Sequence, residues 1–552
     1  MSGLGAGYTD FANLPDPKSY KASLASPDNA LWAAARQTEI ASLESNNTWV
    51  VVPVEPGMHL LRSQWVNKKK RDGDGNVSQY KARLVAGGDG QIFGTEYTLT
   101  FAAVMDMTSM KVILVLALHY KVPARHFDVP SAYVKADKND GSTIHLRIPD
   151  GMSFTAEELQ AMGVTSSAQL CLRLEKSLYG LKQAGRLWGK LLHDTLIRIG
   201  FEQCVTDACL YRKIDKDGIT VVCAYVDDLL ATGSSTERVD DFYNAMASLD
   251  LKDLGPAKHF LGMRLGYDQT SGYKIDQEST IVELLARNKM DKANAVRVPV
   301  CEESAIEASV EENALLPSKG PGTQEAPTVR SFQSLVGSLL WIARCTRPDI
   351  AFAVHRATRK THAPTYQDFK MAKRILRYLA GTAQLKLTMK ADQDAATAMR
   401  VSAYTDADYA ADKATRKSIN GATVHLNGAI VGWHCKQQKS VALSTTEAEF
   451  VSAATGVKEM LGLKELMGEL GIPVEMPMVV KVDNQAAIKQ IENEASSATA
   501  KHVDTKLKFI KDESRRGVIK AEFVGTKENV ADLLTKAMAA PKLAELRGMV
   551  GL

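Results

Sequence analysis

Asp227 and Asp228 stand side by side in AYVDDLLATG, a stretch that is otherwise apolar. Burying one carboxylate is costly, and two adjacent ones repel each other. The approach, ITVVCAYV, is rich in β-branched and aromatic residues and reads as a buried strand. The exit, LLATG, reads as a second short strand ending in a turn. The pair is therefore expected at the tip of an apolar hairpin. A turn or cap role is the ordinary explanation for a lone aspartate, and the strand-like flanks argue against it here. A hairpin tip can hold two carboxylates rigidly against metal ions. Magnesium binds through few protein carboxylates plus substrate phosphates, and two such ions clamp an in-line phosphoryl displacement. A third carboxylate is then expected on a neighbouring strand. Asp128, in ARHFDVPSAYVKA, is the best candidate.

The chain is long enough, at 552 residues, for several domains. Its net charge of +4 conceals clustering: seven basic residues against three acidic between Arg62 and Asp89, and the same counts between Lys501 and Lys520. Such stripes are either solvated faces or phosphate-binding surfaces. The seven cysteines show no metal-ligand spacing and read as buried free thiols of a reducing compartment. There is no signal pattern at the N-terminus and no apolar run of membrane-spanning length.

Residues 1–25 read as a loose leader, followed by a helix capped at Ser26. A basic strand–turn–strand follows, its turn marked by Asp-Gly pairs. Mixed α and β continues to about Pro299. The acidic, Pro/Gly/Ser-rich segment at 301–330 reads as a flexible linker or long loop. A helical stretch runs from Ser331 to about Gly381, and an α/β domain closes the chain.

DVPSAY, SLYGLKQAGRLW and YVDD resemble successive motifs of the copia-type LTR retrotransposon reverse transcriptase. NNTWVVV, YKARLVA, LKDLG, FLGM, LVGSLLWIARCTRPDIAFAV and RILRYLAGT match it in the usual order. YTDADYAAD, ALSTTEAEFVSA, VDNQAAI and NVADLLTK resemble its fused ribonuclease H. The resemblance runs from about Asp16 to the end.

It implies an α+β chain: right-hand polymerase fingers and palm over 26–265, thumb and connection over 266–395, and an α/β ribonuclease H-like domain over 396–552. It implies an RNA-directed DNA polymerase whose Asp128, Asp227 and Asp228 carry two Mg2+ ions, with Mn2+ as the alternative. Tyr133 would be a steric gate against the 2′-hydroxyl of the incoming sugar, although a plain core aromatic accounts for it equally well. Lys81 and Arg83, both on one strand face, are candidates for the triphosphate. Gln183 is a candidate to touch template or nucleotide, and Gly180 allows close backbone approach. Trp188, Leu191, Leu192, Leu196 and Ile199 follow at helical spacing and read as core.

In the ribonuclease H part, Asp406, Glu449, Asp483 and Asp532 would bind a second pair of ions and cut RNA in a hybrid. Glu447 competes with Glu449, which is preferred for the apolar residues after it. Asp408 and Asp412 read as loop acids. The implied partners are template RNA, a primer (a tRNA), dNTPs, RNA–DNA hybrid, and the rest of the polyprotein, Gag and integrase. The implied location is intracellular: cytoplasmic particles, with a nuclear phase. Gly185 replaces the family's proline, Tyr409 its tryptophan, and the segment 88–105 drifts from its pattern. A chain without Gag, protease or integrase motifs reads as the C-terminal part of a polyprotein or as a genomic remnant. A catalytically dead nucleic-acid binder and a particle assembly protein are the competing readings.

Overall fold

The computed structural model describes residues 11, 14–71, 76–138, 141–301, 309, 311–390, 398–492 and 504–552. The fold is α+β, built on five sheets.

The sheet that positions the first acid set has six antiparallel strands. Their order is Lys252–Pro256, Arg125–Asp128, Asp228–Gly233, Gly218–Tyr225, Leu210–Asp215 and Glu202–Gln203. The apolar helix Met107–His119, buried from Met107 to Leu118, packs near it as core. The helix Ala184–Arg198 contributes the buried Trp188, Leu192 and Leu196 to a second cluster with Phe127, Val222 and Leu229.

The basic hairpin forms as expected, Ser63–Arg71 pairing with Val77–Ala86. Its Asp-Gly turn, at 72–75, lies outside the described residues. One of its lysines is not on a solvated face. Lys69 points inward, ion-paired to the buried Asp28 at 3.1 Å and donating to the carbonyls of Phe11 and Leu14. This ties the supposedly loose leader to the hairpin, and the leader carries a helix of its own, Tyr20–Leu24, capped by Ser19. The following helix, Asn29–Ser45, starts after Asp28 rather than at Ser26, whose hydroxyl bonds Asp28 instead.

Of the segment 301–330, the described part before residue 329 is a long loop tied down at Leu316. Residues 302–308 and 310 lie outside the described residues. Beyond them, Leu316 is buried and its N–H donates to Pro364. The helical stretch resolves into Val329–Cys345, Ala351–Thr358 and Tyr366–Ala380. At its centre Arg347 and Asp349 are buried as an ion pair at 2.7 Å, with the Tyr378 hydroxyl donating to Asp349 at 2.7 Å. Asp349→Ala is expected to cost about 3–5 kcal/mol in chemical denaturation, because it strands the Arg347 guanidinium in the interior. A loss under 1 kcal/mol would mean that water reaches the arginine.

The C-terminal sheet has the order Ala429–Gln437, Ile419–Leu426, Val401–Asp408, Met478–Val482, Ile519–Phe523. The first three strands are antiparallel and the last two add in parallel. The 25-residue helix Thr445–Glu469, capped by Ser444, lies on this sheet. Gly456 permits the contact: a Cβ there would stand 2.4 Å from Thr405 Cγ2.

The C-terminal sheet does not stand apart from the six-stranded one. It and the long helix share one apolar core with helix Met107–His119 and the strands 210–215, 218–225 and 228–233. The Trp433 indole donates to Ala343 O at 2.9 Å, and the buried Lys111 ammonium lies 3.9 Å from the centre of the Trp433 ring. Burial pushes Lys111 down to about 8. All seven cysteines are free, with Cys223 and Cys345 fully buried.

Candidate functional site

The hairpin tip is as the flanks of Asp227 and Asp228 require. Tyr225 pairs with Asp228, which leaves Val226 and Asp227 as a two-residue turn. Val226 has φ +58°, a conformation costly for a β-branched residue, so the surroundings must hold it. Two bonds do so: the Trp188 indole donates to Val226 O at 2.7 Å, and Val129 N donates to Asp227 O at 2.9 Å. Trp188 is thus more than filler.

Asp128 is the register partner of Asp228 on the adjacent strand, so all three carboxylates share one end of the sheet. Burial, then the charges of Asp228 and Asp128, raise the Asp227 carboxyl above its ordinary range. Asp228 Oδ1 lies 2.8 Å from His126 Nε2, a neighbour not anticipated from sequence.

Lys81 and Arg83 occupy the same half-exposed face of their strand. Burial and the neighbouring Arg83 lower the Lys81 ammonium, and Asp128 acts on it in the opposite sense. Arg83 lies 4.9 Å from the centre of the Tyr179 ring and favours the ionised form of Asp227. Tyr133 stacks edge-on against Tyr179 at 5.1 Å; burial and Asp227 raise its hydroxyl. Lys81, Arg83 and Tyr133 therefore stand around the acids.

Gln183 does not. It is 2% exposed and bonded to Gln91 at 3.0 Å and to Glu96 O at 2.8 Å. This amide network anchors the divergent segment 88–105 to the turn at Gly180. That turn is tight: Gly180 has φ +93°, and a Cβ there would meet Ala86 O at 2.2 Å. These bonds hold the Gln183 amide in the interior.

The second acid set is assembled from four elements. Asp406 lies inside the strand Val401–Asp408, two residues before its end, and Asp483 directly follows the strand Met478–Val482. Glu449 sits in the first turns of the long helix, and Asp532 in the 3-10 turn Val530–Leu534. Ligand oxygens of Asp406, Asp483 and Asp532 lie within 4.8 Å of one another; among the described residues no other such group of three or more exists. Asp128, Asp227 and Asp228 do not converge this closely.

Glu449 is buried beside this trio, whereas Glu447 caps its own helix, accepting from Leu443 N at 2.8 Å. Burial, then Asp406, raises the carboxyls of Glu449, Asp483 and Asp532. Glu449 Oε2 has no hydrogen-bond donor among the described residues. Asp406 accepts from the Thr535 hydroxyl through Oδ2. Lys536 Nζ lies 2.8 Å from Asp532 Oδ1 and 3.3 Å from Asp406 Oδ1. Sequence reading passed over Lys536, although its place four residues after Asp532 was the available signal. Close, oxygen-only and underbonded, this donor set suits a hard divalent cation. Asp412 is engaged elsewhere, by Arg359 and Gln437, and fits a loop acid.

Beside this set opens a cleft of about 1360 Å³ between the helices 351–358 and 366–380 and the loop 408–415. Nine lysines and arginines line it against four acids, and Lys536 is one of them.

A family model described as reverse transcriptase (RNA-dependent DNA polymerase) matches residues 46–302. The retrovirus-related Pol polyprotein from transposon TNT 1-94 of Nicotiana tabacum is 33% identical over 97% of this chain and 39% of its own length. That from transposon RE1 of Arabidopsis thaliana is 32% identical over 94% of this chain and 34% of its own length. The chain thus spans well under half of these relatives. A solved foamy viral protease–reverse transcriptase with double-stranded DNA is similar at TM-score 0.45 and 10% identity, over 89% of this chain and 69% of that one. The order of motifs, the family model and the two Pol polyproteins agree: the chain belongs to the reverse transcriptase family of copia-type retrotransposon Pol polyproteins.

Proposed function

We propose that this chain copies template RNA into DNA at Asp128, Asp227 and Asp228, and degrades the copied RNA at Asp406, Glu449, Asp483 and Asp532. The observation that carries the first half is the register of Asp128 against Asp228 beside the strained tip at Asp227. Bound Mg2+, or Mn2+, would supply the positive charge that stabilises the transferring phosphoryl group.

The chain's own residues do the rest. Lys81 and Arg83 neutralise the triphosphate of an incoming dNTP, and Arg83 is oriented by the face of Tyr179. Tyr133, backed by Tyr179, presents a rigid edge to the sugar. In the C-terminal site, Thr535 and Asn529 fix the strand that carries Asp406. The basic cleft offers phosphate contacts to an RNA–DNA hybrid entering that site. A tRNA primer and assembly with Gag and integrase in cytoplasmic particles, with a nuclear phase, complete the reading. Among the described residues no helix is long and apolar enough to cross a membrane.

The deciding experiment is extension of a labelled primer on an RNA homopolymer with dNTPs, with and without Mg2+. Extension only with metal supports the polymerase; binding without extension supports the dead binder. Sugar choice gives a sharper check. Tyr133→Val is expected to raise ribonucleotide incorporation relative to deoxyribonucleotide by about tenfold or more, with DNA synthesis retained, since a lost steric clash is worth about 1–3 kcal/mol. Unchanged discrimination would reduce Tyr133 to packing.

A further inference from the structure

If the C-terminal acids form a metal-dependent nuclease, Lys536 stands in the way of the metal. We propose that Lys536 is the resident counter-cation of this site. In the metal-free protein its ammonium holds Asp406 and Asp532 together, and a divalent ion must displace it to bind. The inference rests on the nuclease reading and adds to it how the site is kept ready and how tightly it takes metal.

The bonding pattern points to this role. Asp406 is 1% exposed, and its Oδ2 is taken by the Thr535 hydroxyl. Oδ1 is what remains for a cation, and it is the oxygen that Lys536 faces at 3.3 Å. Lys536 also reaches Asp532 Oδ1 at 2.8 Å, so one ammonium spans two of the three converging acids.

A single positive charge leaves this set underneutralised. Glu449, 8% exposed, has an oxygen without a donor and a carboxyl raised by burial and by Asp406. A divalent ion brings a second charge to the same oxygens. An ammonium about 3 Å from such an ion would be strongly repelled. Lys536 has somewhere to go: its side chain is 36% exposed and lines the adjoining cleft. Displacing it opposes metal entry, so the site should bind metal weakly until a substrate phosphate adds its own ligands.

The test uses the full chain with Asp227→Asn and Asp228→Asn, which silences the palm acids. Mn2+ binding is followed by the paramagnetic resonance of the free ion for Lys536, Lys536→Met and Lys536→Arg. Lys536→Met is expected to bind Mn2+ about fivefold tighter or more, the usual size of such couplings. In EDTA its Tm should fall, and Lys536→Arg, which keeps the charge, should restore both values toward those of lysine. Lys536→Gln carries the same expectation as Lys536→Met should the methionine variant not fold. Mn2+ affinity that is unchanged or weaker without the ammonium overturns the inference, whatever the Tm does. If the Lys536→Met protein shows no Mn2+ binding that Asp483→Asn removes, the nuclease reading itself falls, and this inference with it.

Discussion

Asp227→Asn and Asp228→Asn are each expected to leave a folded protein that extends a primer at least about a hundred- to a thousandfold more slowly, the usual consequence of losing one charge-stabilising group. Folding should survive for a physical reason. Burial and the facing carboxylates already raise Asp227, so an amide relieves repulsion rather than creating it. A Tm equal to or above that of the parent is expected, read beside single-nucleotide extension. Near-parental extension by either variant would show that the hairpin tip is not the polymerase centre.

The second large effect belongs to the C-terminal acids. Asp483→Asn should abolish cleavage of RNA in a labelled RNA–DNA hybrid while primer extension persists. Asp483 is raised by burial and by Asp406, so the amide again removes a repulsion and should not unfold the domain. The two acid sets draw on different strands of different sheets, which is why a point change in one should spare the other. Double-stranded RNA should be a poor substrate, since recognition of a hybrid relies on deoxyribose on one strand and 2′-hydroxyls on the other. Full hybrid cleavage by Asp483→Asn would remove that residue from the site. Loss of both activities would contradict the independence of the two sets.

The parts of this architecture carried by local pattern were legible in the sequence. The β-branched and apolar runs on either side of Asp227 and Asp228 read as two strands, and the structure pairs them as a hairpin. What was hidden depends on distant partners. Asp128 was expected on a neighbouring strand, but no local signal sets His126 beside Asp228; strand register across a hundred residues decides that. The interior bonds of Gln183 to Gln91 and Glu96 were likewise out of sight, because both partners lie about ninety residues away. Lys69 was counted in a surface stripe because nothing nearby reveals that Asp28 waits beneath it. Lys536 was overlooked because a lysine at a helix-like spacing from an acid usually makes only a surface pair.

The apolar core shared by helix Met107–His119 and the C-terminal sheet bears on how such a gene can decay. A nonsense codon near residue 395 would not release a self-contained N-terminal half. It would strip the outer wall from helix Met107–His119, leaving Lys111 without the Trp433 face and Ala343 without its indole donor. The shortened polypeptide would carry a newly bared greasy seam, the kind of surface that quality-control proteases and aggregation compete for. Selection acting on the C-terminal acids therefore also guards the solubility of the half that carries Asp227 and Asp228.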